Sequence, residues 1–198
     1  MRVNSSSTDP WEPGVGQRAP VITVTNALDS SGFCLSDLWK EGPAVLVFLR
    51  HLGCSFCREH VAQLRQDRDR FRDCSASIGL VTVGLPRETE AFCRERDLFS
   101  AFTCLCDPGK AAYEAYGLSR APARELITPH VLARGFQAAL HGHFVGMPKG
   151  DPFQMPGTFI VDVHGEIRYA HRHRDMADNP PNADLFAVLE SLRPKPLP

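Results

Sequence analysis

The chain has 198 residues, 43% hydrophobic and 23% charged, with a formal net charge of −1. That length and balance suit one soluble domain with a sizeable core, and they give no electrostatic case for binding nucleic acid or an anionic membrane. The longest apolar run, AVLVFL at 44–49, is far too short to span a bilayer and reads as a buried strand. Seven cysteines, an odd number, stand at 34, 54, 57, 74, 93, 104 and 106. A chain of this size does not need disulfide staples, so mostly free thiols in a reducing cytoplasm are expected.

Residues 1–13 are polar and rich in Ser, Pro and Gly, without an apolar core segment, and read as a flexible lead-in rather than a secretory signal. VITVT at 21–25 reads as a strand, DSSG as a turn, and Ser36 or Asp37 as the opening of a helical turn. Pro43 precedes the strand 44–49. From Cys57 to Arg72 the spacing of Val61, Leu64, Arg68 (through its stem) and Phe71 predicts an amphipathic helix. IGLVTVGL at 78–85 is a second buried strand, and 88–102 a second helix with Phe92, Leu98, Phe99 and Phe102 on its apolar side.

Asp107, Pro108 and Gly117 supply start and stop signals for a third helix. Residues 128–142 predict another helix, bounded by Pro129 and Gly142, and the stretch before Thr158 is a loop. TFIVDVHGEIRYAH at 158–171 reads as a β-hairpin. A C-terminal helix follows, carrying Leu185, Leu189 and Leu192, and the tail 194–198 cannot extend it. Repeated strand–helix units imply parallel strands with helices on both faces, and the hairpin adds antiparallel ones. With no internal repeat or linker, one domain over 14–193 is the economical division.

The stretch that carries chemistry is FLRHLGCSFCREH at 48–60, where a buried strand runs through a Cys-x-x-Cys pair into a helix. Cys54 falls at the helix head and Cys57 about one turn in. Unpaired amides and the positive end of the helix dipole stabilise a thiolate there, and Arg50, Arg58 and His60 add nearby donors. Three readings compete: a redox dithiol, a plain buried pair, or half of a zinc site. A zinc site would need Cys104-x-Cys106, His141-x-His143 or His171-x-His173 to complete it. The strand-to-helix setting favours redox chemistry, and no metal is expected. Cys104 and Cys106, in an extended run, are a candidate second redox pair.

GVGQRAPVITVTNALDSSGFCLSDLWKEGPAVLVFLR, FLRHLGCSFCREHVAQL and YAHRHRDMADNPP together resemble the peroxiredoxin-like branch of the alkyl hydroperoxide reductase/thiol-specific antioxidant family that carries Cys-x-x-Cys. The resemblance covers roughly residues 14–192. It implies a thioredoxin-like α/β fold, with a central mixed sheet, helices on both faces and a peroxiredoxin-type N-terminal extension. It implies an oxidoreductase that needs no cofactor and cycles Cys54 and Cys57 between dithiol and disulfide while reducing a peroxide. A thioredoxin-like dithiol would be its reductant, and a homodimer is compatible with it.

On the peroxiredoxin template Cys57 is the attacking thiol and Cys54 replaces the usual Thr. On the thioredoxin template the roles reverse. The peroxiredoxin character of the N-terminal half favours Cys57. The Pro that usually opens the peroxiredoxin loop is missing from LRHLGC, and Gly157 precedes Thr158 where thioredoxins have a cis-Pro. Arg50, Arg172 and Arg174 are candidates for the arginine that stabilises the thiolate. Alternative outcomes are a small-molecule dithiol or endoperoxide oxidoreductase and a non-catalytic redox sensor.

Overall fold

A computed structural model of the chain describes residues 12–120, 151, 153–175 and 177–193. The helix expected over 128–142, the pair His141 and His143, most of the lead-in and the tail lie outside the described residues.

Among the described residues seven strands form one sheet: β1 (Thr23–Asn26), β2 (Gly32–Cys34), β3 (Ala44–Phe48), β4 (Ser77–Thr82), β5 (Thr103–Cys106), β6 (Gly157–Val161) and β7 (Ile167–Arg172). Their spatial order is β2-β1-β5-β4-β3-β6-β7. β3, β4 and β5 run parallel, while β1, β2, β6 and β7 join antiparallel. The helices among the described residues are α1 (Ser55–Gln66), α2 (Arg68–Asp73), α3 (Pro86–Glu95), α4 (Ala111–Ala115) and α5 (Asn182–Ser191), with a 3-10 turn at Leu35–Trp39.

The central strand explains why the sheet is covered on both sides. Every residue of β3 is buried. Val45, Val47 and Leu49 pack on one face with Val61 and Leu64 of α1, Phe92 of α3 and Leu185 and Leu189 of α5. Ala44, Leu46 and Phe48 pack on the other with Leu38, Trp39, Tyr113 and Tyr116. A continuous apolar run is what a strand buried on both faces requires. The chain leaves β3 at the carboxyl edge of the parallel strands, where α/β sheets place their sites.

Several boundaries differ from the sequence expectation. The helix expected from Cys57 to Arg72 begins at Ser55 and breaks at Asp67. There the Asn182 side chain donates to the Asp67 carboxylate at 2.7 Å, and Phe71 turns to meet Phe186 at 4.5 Å between ring centres. The helix expected to reach residue 102 stops at Glu95, because Asp97 adopts φ 51° and reverses the chain. Leu98 and Phe102 therefore enter the core from the connection rather than from a helical stripe. α4 starts at Ala111, not Pro108. Asp107 still caps it, accepting from the Ala112 amide at 2.8 Å, but across Lys110 in a left-handed conformation. The short strand β2 carried no sequence signal.

Tyr113 ties the second face to the site. It is fully buried, and its hydroxyl lies 2.6 Å from the Leu49 carbonyl and 3.0 Å from that of Val81. It thus holds the last residue before Arg50. Tyr113→Phe leaves the Leu49 carbonyl without this donor and is expected to lower unfolding free energy by about 1–3 kcal/mol, read from urea denaturation.

Candidate active site

Cys54 occupies the position just before α1, with φ −72° and ψ 123°, and its amide donates to the His51 carbonyl at 3.1 Å. Cys57 lies in the first turn of the helix. Both side chains are buried, each residue 3% exposed, and neither is in a disulfide. The Cys57 thiol hydrogen-bonds to the Cys54 sulfur, and the Arg50 guanidinium reaches the same sulfur from Nη1 at 3.9 Å.

These contacts separate the two thiols electrostatically. The Cys57 thiol, then the Cys57 amide and the Arg50 charge, favour the anionic form of Cys54 strongly enough to overcome burial. They bring its pKa down to about 6. Cys57 moves the opposite way, well above the ordinary thiol range, because it donates to Cys54, is buried and faces the negative charge of Cys54. The amides of Arg50 and His51 counter this only in part. Contacts of this kind favour the shared proton on Cys57 and the negative charge on Cys54. The sequence reading takes Cys57 as the attacking thiol; these contacts make Cys54 the more acidic of the two.

Of the three candidate arginines, the structure brings only Arg50 to the sulfurs. Arg172 alternates onto the opposite sheet face, 5.2 Å above the Phe159 ring. There it donates to the carbonyls of Tyr116 at 3.1 Å and Pro13 at 2.7 Å and lies 3.9 Å from the Glu12 carboxylate. Its path passes Gly117, where φ is 67° and an added Cβ would lie 3.1 Å from Arg172 Nε. Arg174 is largely exposed and pairs with Asp178 at 3.1 Å. The expectation that Arg172 or Arg174 stabilises the thiolate is therefore corrected. A two-residue period puts Arg172 on the wrong face, and an acidic neighbour engages Arg174.

The segment after β7 braces α1 instead. Asn179 donates to the carbonyl of Phe56, between the two cysteines, at 3.1 Å, and Asn182 donates to the carbonyl of Gln63 at 3.0 Å. His171 contacts the Asp178 carbonyl at 2.8 Å, and the rings of His171, His173 and His60 follow one another at 5.0 and 6.4 Å between centres. Sequence reasoning missed Asn179 and Asn182 as braces, since an Asn on either side of a Pro-Pro step carries no such signal. Among the described residues no group of three or more His, Cys, Asp or Glu is arranged to hold a metal.

Two measurements follow from these environments. Alkylation of the reduced protein by iodoacetamide should titrate with a midpoint near 6 for Cys54, and Arg50→Met should move that midpoint upward. Burial lowers His60 to about 4 and His173 to about 3. The unfolded chain takes up protons at these groups near 6.5, before the native state does. Stability should therefore fall as pH drops from about 6.5 toward 4, above the range where carboxylates titrate. Urea midpoints in His173→Phe should fall less steeply over that window.

The AhpC/TSA family profile matches residues 15–170. Peroxiredoxin-like 2C of Bos taurus is 27% identical over 86% of this chain and 77% of its own length. A prostamide/prostaglandin F synthase of Xenopus tropicalis is 29% identical over 78% of this chain and 77% of its own. The crystal structure of peroxidoxin BcpB from Mycobacterium tuberculosis superposes with a TM-score of 0.67 at 17% identity, over 92% of this chain and all of that one.

Proposed function

The chain belongs to the AhpC/TSA family and is a thiol-dependent oxidoreductase, and on that premise we propose that it reduces a small hydroperoxide through a Cys54–Cys57 dithiol–disulfide cycle. The observation that carries this is the buried pair itself: the Cys54 sulfur lies 3.9 Å from the Arg50 guanidinium at the head of α1, with Cys57 in the first turn of the helix. The Cys54 thiolate attacks the terminal oxygen of the peroxide. The O–O bond breaks, Cys54 becomes a sulfenic acid, and the departing alkoxide takes a proton to leave as alcohol, or as water when the substrate is hydrogen peroxide. Cys57 then attacks the Cys54 sulfur. The S–O bond breaks, the S–S bond forms and water leaves. An external dithiol, thioredoxin-like in chemistry, returns the pair to the reduced state by exchange through a mixed disulfide.

The geometry supports a division of labour within each step. Arg50 stabilises the attacking sulfur and the charge developing on the peroxide oxygens, a positioned cation in a site with little water. Cys57, kept protonated by its setting, does not compete for the oxidant before the sulfenic acid exists. The burial of both sulfurs favours a small oxidant over a protein disulfide as first substrate. Reduction by a protein dithiol then requires the first turn of α1 to open. The seven cysteines, all unpaired, fit a reducing cytoplasmic setting.

A second reading rests on the prostamide/prostaglandin F synthase relatives. The same pair would reduce the O–O bond of a cyclic endoperoxide, with Phe56 between the cysteines as an apolar wall. Both readings share the same electron count and differ only in what must enter the site.

Hydrogen peroxide, a lipid hydroperoxide and a cyclic endoperoxide should each be offered to wild type with a thioredoxin and its reductase. Turnover with a hydroperoxide, and a lower rate with the endoperoxide, is the expected order. Cys54→Ser should lose turnover and fail to form a dimedone adduct. Cys57→Ser should form the adduct at residue 54 but not recycle. An adduct found at residue 57 in Cys54→Ser, and none at residue 54 in Cys57→Ser, would reverse the roles.

A further inference from the structure

Three imidazoles are packed between the helix that carries the dithiol and the end of β7. His60 follows Cys57 by three positions and lies on the same side of α1, one turn on. The ring of His173 stands 6.4 Å from that of His60 and 5.0 Å from that of His171, centre to centre. His60 is 2% exposed and His173 6%. His60 Nε2 and both ring nitrogens of His173 are buried with no hydrogen-bond partner among the described residues. A proton added at any of these atoms would bring a charge with neither water nor a hydrogen-bond acceptor to receive it.

Residues 177–182 close over the same place. His171 Nε2 donates to the Asp178 carbonyl at 2.8 Å and lies 3.5 Å from its carboxylate. Ala177 is buried in the core, and Asn179 donates at 3.1 Å to the Phe56 carbonyl, in the peptide that leads into Cys57. The brace on the first turn of α1 is therefore seated on the histidines.

We propose that His60, His171 and His173 form a proton-operated latch: proton uptake by the cluster lifts residues 177–182 from α1, releases the Phe56 carbonyl and bares Cys57.

The charges around the cluster set the direction. α1 brings His60, and β7 with its extension brings Tyr169, His171 and His173. The loop brings Asp178, whose carboxylate is already shared between His171 and Arg174, with Asp175 facing Arg174. Asp184 of α5 faces Tyr169. Burial and the neighbouring imidazoles keep His60 and His173 neutral well below the ordinary histidine range while the latch is closed. Once it opens they meet water and titrate near 6.5. The open form thus binds protons that the closed form refuses, so each histidine raises the opening constant by up to about tenfold per pH unit below about 6.5. As an entry route for a protein dithiol the latch rests on the proposed Cys54–Cys57 cycle, whereas the opening itself does not.

The test reads thiol access without peroxide or turnover, in full-length Cys54→Ser, where Cys57 cannot form a disulfide with its neighbour. The rate of Cys57 modification by dithiodipyridine, located by mass spectrometry, is compared with that of the urea-unfolded chain at the same pH. That ratio removes the reagent's own pH dependence. Cys93, fully buried on α3, is read in the same digest as a marker of global unfolding. Between about pH 6.5 and 5.5 the protection of Cys57 should fall about tenfold or more, while that of Cys93 holds. Adding His173→Phe should flatten the slope. Adding Asn179→Ala should lower Cys57 protection throughout the range and keep the slope. Protection of Cys57 that does not change with pH would overturn the proposal. So would an equal fall at Cys93, or a slope left intact by both His60→Phe and His173→Phe. Since no peroxide enters, failure of the latch and failure of the peroxidase cycle are told apart.

Discussion

A dithiol held almost entirely out of water beside an arginine is the constraint on which this structure turns. A buried anion is costly unless positive and hydrogen-bonding groups surround it. At Cys54 those groups are the Arg50 guanidinium and the thiol and amide of Cys57. All come from one continuous stretch of chain, the turn between β3 and α1. That turn must hold its shape within a few tenths of an ångström for the contacts to act, so much of the surrounding fold reads as support for it.

The support arrives from three directions. Beneath, β3 is paired on both sides, with β4 and β6, and buried on both faces. From the second face, Tyr113 reaches through to the Leu49 carbonyl and fixes where the strand ends. From the carboxyl end of the chain, Asn179 and Asn182 grip backbone carbonyls along α1, with His60, His171 and His173 packed between helix and hairpin. The basic run after β7 thus contributes to the site mechanically. Its arginines neutralise Glu12 and Asp178 and satisfy backbone carbonyls, while the sulfur is served by Arg50 alone among the three candidates.

Placing five of the seven cysteines in one core cluster gives the protein thiols of two kinds. Cys54 is poised for reaction by charge. Cys93 and Cys104 are buried in the same apolar cluster, away from Arg50. The difference lies in the neighbours rather than in burial, since all three are nearly inaccessible. Proximity sets whether a disulfide can form, and electrostatics sets how soon.

The sequence by itself determined the alternation of strands and helices, the placement of a dithiol where a buried strand meets a helix, and the family resemblance. These depend on local pattern: an apolar run of strand length, a 3-4 spacing, and turn residues at fixed offsets. Arg50 was also legible, because it stands four positions before Cys54 along the same turn. Tertiary structure alone decided the rest. Which sulfur Arg50 faces depends on the path of the turn, which places the guanidinium 3.9 Å from Cys54, while two templates read onto the same four residues gave opposite roles. Arg172 sits on the far side of the sheet because strand alternation fixes its face once β7 is in register with β6. Asn179 meets the carbonyl of Phe56 from the far end of the chain, and no spacing rule links residues 56 and 179. Contacts of that kind are set by how elements pack, and a linear pattern holds no record of them.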